Sequence, residues 1–356
     1  MGRRPPRRRL RLAAAWLGAL LLISAGCAPA QVPGGTLADR LNSSLHKGGA
    51  AFDDNFATGS AAGSDWFAAL SGAAATFRQP DGQTLVVSAT VPGDRRPATW
   101  TLRVQLDDTG RIQSVAPTPD RPIWALGPVD STTTTHGTLL SAGLDASARG
   151  EWAERLDRAA ALVRRASPAG GNTWTGGLVV EVPANGSDFQ AITNELPNTA
   201  SALTACGTGT PRVVVNPLIL DQPDAWLDST LVHEAVHVAT DSACVPAGQS
   251  LPWAVEGLAE SVTAQVYPAT AARNRELVVA YLRENPVPTA LPATLENLTS
   301  YALAQLAVDQ VRAHVGENAD DLLGRAIRGS GSVTPAELRR VTRWYLSALR
   351  RIAATR

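Results

Sequence analysis

The sequence predicts an α+β protein built in two unequal parts, with the larger part carboxy-terminal. Three observations carry this expectation. Apolar and polar residues alternate over 84–91 and 99–106, which reads as two strands with Pro92-Gly93-Asp94 as turn material between them. Trp152, Leu156, Ala159, Ala160 and Val163 recur at helical spacing within 150–165, as expected of a helix packed on a core. The β-branched runs Leu178–Val182 and 212–216, bounded by Gly and Pro, are followed by long helical patterns, and this order indicates a second α+β unit.

The chain has 356 residues with 44% hydrophobic and 18% charged composition, enough for one large core or two moderate ones. Its formal charge is zero, with 32 basic and 32 acidic side chains. Six of the basic ones (Arg3, Arg4, Arg7, Arg8, Arg9 and Arg11) precede residue 27, where no acid occurs, so the remainder carries 26 basic against 32 acidic residues, net −6. An acidic body lacks the basic face that neutralises phosphates, which argues against a nucleic-acid partner.

After the arginines comes an apolar run over 12–26, short for a spanning helix and placed where an export signal belongs. It ends in Leu22-Ile23-Ser24-Ala25-Gly26-Cys27, which resembles the bacterial lipoprotein signal. That resemblance implies cleavage before Cys27, attachment of lipid to it, and a position on the outer face of the cytoplasmic membrane. Ser24 stands where such signals more often have Leu. An ordinary secretory signal cut after Ala28 or Ala30, or a retained anchor, are the alternatives, and all three put the body outside the cytoplasm. With Cys27 assigned to lipid, Cys206 and Cys244 remain as an even pair expected to form a disulfide, two reduced buried thiols being the alternative.

Residues 28–36 read as a tether rich in Ala, Pro and Gly. A helix is expected at Leu37–Leu45 and another over 66–76; the strands of 84–91 and 99–106 follow, then a turn at Asp107-Asp108-Thr109-Gly110 leading into 111–115. Together 37–127 make a small α+β domain, compatible with a cone-shaped fold of the cystatin or nuclear-transport-factor kind by analogy alone. The run 130–135 reads as a polar joint, and 135–356 as the second domain.

The second domain holds the chemistry. Leu231-Val232-His233-Glu234-Ala235-Val236-His237 contains HExxH on an expected helix opened by Asp228, Ser229 or Thr230 as cap. A spacing of four puts His233 and His237 one turn apart on one face, where both imidazoles can reach a single Zn²⁺, and leaves Glu234 beside them to accept a proton from water. The protein has five histidines; His46, His136 and His314 are isolated. With eighteen residues separating His237 from Glu256, Leu251-Pro252-Trp253-Ala254-Val255-Glu256-Gly257-Leu258-Ala259-Glu260 places two carboxylates one turn apart on a second helix.

The phrase WxxEGxAE following HExxH resembles the gluzincin metallopeptidases and their peptidase MA-like relatives. The resemblance covers about 135–330. It implies a zincin-like fold, a peptide or protein substrate, and Zn²⁺ held by His233, His237 and Glu256 with Glu234 as general base. It further implies that Glu260 orients a ligand histidine through its second ring nitrogen, and that Tyr301, at the start of a helix reaching Gly316, donates a hydrogen bond to the tetrahedral oxyanion. Asp241, four residues after His237, is a candidate hydrogen-bond partner at the helix end. The strand of 212–216, with Val214 and Asn216, is the candidate cleft edge for an extended peptide, a buried strand being the alternative. The longer metzincin pattern is absent, since Ala243 lies six residues after His237 and no histidine replaces it. The Gly-Ala-Met-Glu-Asn signature of the aminopeptidases is also missing. A noncatalytic lipoprotein that binds peptides or proteins with the same fold is the second reading.

Overall fold

The computed structural model describes residues 35–116, 120–166, 174–196 and 200–355. The leader, Cys27 and most of the tether lie outside the described residues. The α+β class expected is the class observed.

The described residues open with three short helices, α1 (Leu37–Leu45), α2 (Gly49–Asp53) and α3 (Ala62–Leu70), on an antiparallel meander of β1 (Thr76–Arg78), β2 (Thr84–Ala89), β3 (Ala98–Leu106) and β4 (Ile112–Val115). The period-two pattern of β3 explains the one-sided packing: Ala98, Trp100, Leu102 and Val104 are buried, while Thr99, Thr101, Arg103 and Gln105 face outward. Trp66 of α3 and Trp100 of β3 each meet Trp124 edge-on, with ring centroids 4.8 and 5.5 Å apart. The helix expected over 66–76 is displaced, because Trp66 lies inside α3 and Thr76 already belongs to a strand.

The second sheet has five strands in the order β5 (Asp130–Thr133), β6 (Gly137–Ser141), β7 (Leu178–Val182), β9 (Arg212–Val215), β8 (Ala202–Ala205). The polar run 130–135 is therefore no mere joint: it supplies edge strand β5, whose solvated side tolerates Ser and Thr. β6, β7 and β9 pair in parallel, and β5 and β8 run antiparallel at the two edges. Leu139, Leu178, Val180, Val182, Val213 and Val215 point into the larger core beneath α4 (Ala146–Ala166) and α6 (Asp224–Thr240). Leu140, Val179 and Val214, with Phe189 and Ile192 of α5 (Gly186–Thr193), point the other way into a core shared with the first sheet. Burial on both faces is why β7 and β9 are apolar apart from Glu181 and Arg212, which are buried against each other.

The β2–β3 turn anchors the first sheet on the second. A Cβ on Gly93 of that turn would stand 2.6 Å from the Leu178 carbonyl oxygen and 3.0 Å from Gly137 Cα, and its φ is +105°, so only glycine admits this backbone approach. Beside it, Arg212 of β9 donates to Asp94 of the turn at 2.6 and 3.1 Å and to Glu181 of β7 at 2.9 Å, all three side chains being buried. Burial pushes the Glu181 carboxyl up in spite of the guanidinium. Removing either partner would strand a buried charge.

Five further helices complete the molecule: α7 (Pro252–Val266), α8 (Pro268–Glu284), α9 (Leu298–Val315), α10 (Ala319–Arg328) and α11 (Pro335–Ala354). No described helix is long and apolar enough to cross a membrane. α6 starts at Asp224, with Pro223 before it, so Asp228, Ser229 and Thr230 are not its cap. Asp224 and Asp228 both accept instead from the buried Arg155 of α4, which ties α4 to α6.

Candidate metal centre

α6 is held in the larger core by Leu231, Val232, Ala235, Val236, Val238 and Ala239. This fixes the rotation of the helix and turns His233, Glu234 and His237 toward a cavity of about 600 Å³ bounded by β8 and by α7. α7 delivers Glu256, and its neighbour Gly257 explains how α9 comes so close: a Cβ there would lie 2.4 Å from the Ala304 carbonyl oxygen. The approach brings Tyr301 of α9 to the same cavity, with its ring centroid 6.1 Å from that of His233.

Three ligand atoms converge. His233 Nε2 is 3.2 Å from His237 Nε2 and 3.0 Å from Glu256 Oε2, and His237 Nε2 is 3.3 Å from the same oxygen. A tetrahedral zinc ion with bonds of about 2.0–2.1 Å holds its ligand atoms roughly 3.3 Å apart, so the triangle has the right size. Among the described residues this is the one group of at least three His, Cys, Asp or Glu side chains with converging ligand atoms.

The other ring nitrogens show why a cation belongs there. His233 Nδ1 is 3.2 Å from Glu260 Oε1, and His237 Nδ1 is 3.0 Å from Ser242 Oγ. When each Nδ1 carries its proton toward these oxygens, both Nε2 lone pairs and a carboxylate oxygen face one another with no hydrogen between them. A positive charge at the centre reconciles them. Burial disfavours a charged His233, but Glu256 and Glu260 outweigh it and hold the imidazole well above its usual value. For Glu256, burial works upward and is overcome by His237 and His233, which keep the carboxyl far below the ordinary range.

Glu234 is buried, and its Oε2 accepts from Thr204 Oγ1 at 2.8 Å. Burial, then the carboxylates of Glu256, Glu234 and Glu260, push the Tyr301 phenol well up, so it stays a hydrogen-bond donor. Cys206 and Cys244 are joined in a disulfide. Each half-cystine lies two residues after a side chain that holds the site, Thr204 for Glu234 and Ser242 for His237, so the bridge ties the two supports together.

Glu234, His233, His237, Glu256, Glu260 and Tyr301 are thus brought together as anticipated, but three candidates are not. Asp241 turns away from the imidazoles: it ends α6 in the left-handed conformation (φ 57°), and its carboxylate faces Arg95 at 3.5 Å and Arg96 at 3.3 Å. Val214 and Asn216 do not form the cleft edge, because β9 is paired on both sides and both side chains are buried away from the cavity. Val214 packs in the shared core, and Asn216 donates to the Ala200 carbonyl. The edge is β8, whose residues Ala202–Ala205 line the cavity together with Cys206 just after them. Thr204 and Ser242 were not foreseen. Nothing local in the sequence marks them, apart from their place just before each cysteine.

The arrangement is an HExxH helix packed on a mixed sheet with an antiparallel edge strand, and a second helix that brings a glutamate. No protein-family model and no curated protein matches the chain. Among solved structures it is similar to an M1 zinc metallopeptidase from Deinococcus radiodurans, with 16% identity over 79% of this chain and 59% of that one and a TM-score of 0.31. A mutant of a two-domain M1 zinc metallopeptidase bound to L-tryptophan gives 14% identity, 79% and 61% coverage and a TM-score of 0.32. The chain therefore spans about three fifths of the length of these structures. Such values are too low for the likeness to bear on activity.

Proposed function

We propose that the protein is a zinc metallopeptidase of the cell envelope, anchored through lipid on Cys27. The observation that carries the enzymatic reading is the near-equilateral triangle of His233 Nε2, His237 Nε2 and Glu256 Oε2, with the Glu234 carboxylate at its side. Zinc held by these three residues supplies Lewis acidity for the scissile carbonyl and lowers the pKa of water.

The chain's own residues do the rest. Glu234, oriented by Thr204, takes a proton from the attacking water and returns it to the leaving nitrogen. Tyr301, kept protonated, donates to the oxyanion as charge develops on it. Glu260 and Ser242 fix the tautomers of the two histidines. An extended peptide is accommodated by adding to the free edge of β8, where main-chain hydrogen bonds supply affinity without demanding a particular side chain. The envelope location is supported by the leader sequence and by the disulfide, which persists in an oxidising compartment.

The test joins metal analysis to a cleavage assay. The purified protein is expected to hold about one zinc per chain and to hydrolyse members of a mixed peptide library, whereas Glu234→Gln keeps the metal and loses turnover by about 100-fold or more. Zinc binding without any hydrolysis by the unaltered protein would sink the enzymatic reading.

A further inference from the structure

Behind the proposed zinc site, a chain of polar side chains runs from α7 across α8 to α9, buried at Glu260, Ser261 and Asn274 and half-buried at Gln305, Asp309 and Arg312. Glu260 uses Oε1 for His233 and presents Oε2 to Asn274 of α8, whose Nδ2 donates at 2.6 Å. Asn274 is 4% exposed and its amide is fully used: Nδ2 also donates to Gln305 Oε1 of α9 at 2.7 Å, and Oδ1 accepts from Arg273 Nε at 3.1 Å. Gln305 Nε2 passes the direction on to Asp309 Oδ2 at 3.2 Å. Asp309 Oδ1 accepts from Ser261 Oγ at 2.6 Å, and that oxygen accepts from Arg312 Nη1 at 2.9 Å.

Donor and acceptor alternate without conflict along this path. Asn274 alone donates in both directions, so it sets the sense of the whole chain. Its partners also leave no doubt about which end is the amide nitrogen, since two acceptors face Nδ2 and a guanidinium faces Oδ1. A carboxylate such as Glu260 has a broad choice of side-chain torsion when nothing fixes its far oxygen. With Oε2 held by Asn274 at 2.6 Å, and more loosely by the Arg273 guanidinium at 3.6 Å, Oε1 is aimed at His233 Nδ1.

We infer that Asn274 is a positioning residue of the metal centre: it orients Glu260, and through it the His233 ligand, by a hydrogen-bond chain that Gln305 and Asp309 anchor in α9. This rests on the reading of His233, His237 and Glu256 as zinc ligands. The role is distinct from filling space, because asparagine and aspartate have nearly the same shape and opposite hydrogen-bonding character.

The experiment measures zinc affinity by competition with a chromophoric chelator, and the gain in melting temperature on adding zinc, for the full chain and four variants. Asn274→Ala and Asn274→Asp are each expected to weaken zinc binding by about 10-fold or more, the range found for partners of metal-ligating histidines, and to shrink the zinc-induced gain in melting temperature. Gln305→Leu, which leaves Glu260 its donor but frees the other end of Asn274, gives a smaller loss of the same kind. Asn55→Ala removes a buried asparagine in the turn after α2, whose amide donates to Ser44 and to the carbonyl of Phe52, and is expected to lower stability while leaving zinc affinity unchanged. If Asn274→Ala fails to fold, Asn274→Asp and Gln305→Leu carry the comparison. Zinc affinity within twofold of the unaltered protein in the folded Asn274 and Gln305 variants would overturn the positioning role alone. An unaltered protein that binds no zinc overturns both this role and the metallopeptidase reading.

Discussion

At the scale of single residues, the site is organised around the exchange of one positive charge for another. Two carboxylates facing His233 raise its imidazole well above the usual value, and two imidazoles facing Glu256 hold its carboxyl well below its own. A raised histidine contributes stability that is complete below its unfolded value of about 6.5 and is lost as pH rises through the higher folded value. A depressed glutamate contributes stability that is present above its unfolded value of about 4.5 and is lost as pH falls through the lower folded value. The chelated protein is therefore expected to be most stable between roughly pH 4.5 and 6.5 and to lose melting temperature on the alkaline side. Zinc competes with a proton on His233, so saturating metal removes the alkaline decline, and calorimetry in buffers of different ionisation enthalpy should record release of about one proton per zinc near pH 6.5. No proton release, together with a melting temperature flat across this range, would contradict the proposed electrostatics.

At the scale of elements, HExxH and the two glutamates of α7 were legible because helical spacing turns sequence distance directly into a shared face. Glu256 and Glu260 needed only their own helix to be recognised as a pair, and the structure places one beside each ring nitrogen of His233. The strand edge was not legible in this way. β9 is the more strand-like segment, and that very apolarity marks an interior position, whereas Ala202–Ala205 is short and weakly patterned because one side of it is free. The start of α6 was missed for a related reason: Pro223 with Asp224 in the first turn is a start signal, but Asp228 also looks like a cap until Arg155 is seen to claim it. Ser242, Thr204 and Asn274 depend on elements folding onto one another, so no local pattern encodes them. Gly257 belongs to this scale as well. A glycine inside a helix costs about 1 kcal/mol relative to alanine, and here the return is the close packing of α7 on α9. Gly257→Ala would place Cβ against backbone at 2.4 Å, so the helices must part and carry Glu256 and Tyr301 with them. Denaturant unfolding is expected to show a loss of about 1–3 kcal/mol despite the better helix propensity, accompanied by weaker zinc binding. A variant more stable than the original would show that the two helices have room to spare.

At the scale of the whole molecule, the charge asymmetry of the sequence reappears in the cleft. Its described lining holds four carboxylates, those of Asp120, Glu195, Glu234 and Glu256, and neither Lys nor Arg. The proposed mechanism assigns Glu256 to the metal and Glu234 to proton transfer, which leaves Asp120, set beside Gly207 beyond the end of β8, and Glu195, after α5, as exposed charges with no assigned task. If a peptide adds to β8 as proposed, these carboxylates favour a cationic side chain on it over an anionic one. Two solvent-exposed pairs of roughly 0.5 kcal/mol each make about a fivefold preference in kcat/KM for substrates carrying Lys or Arg near the cleaved bond. Screening sets the control, because interactions of exposed charges fade when the Debye length drops to about 3 Å at 1 M salt, and the preference should fade with them while cleavage of neutral peptides persists. Profiling the peptide library at low and high salt, with the Asp120→Asn and Glu195→Gln double variant alongside, checks the expectation. Substrates rich in Asp and Glu cleaved as well as basic ones at low salt, or a preference unaltered in the double variant, would assign selection to the shape of the cleft instead of its charge.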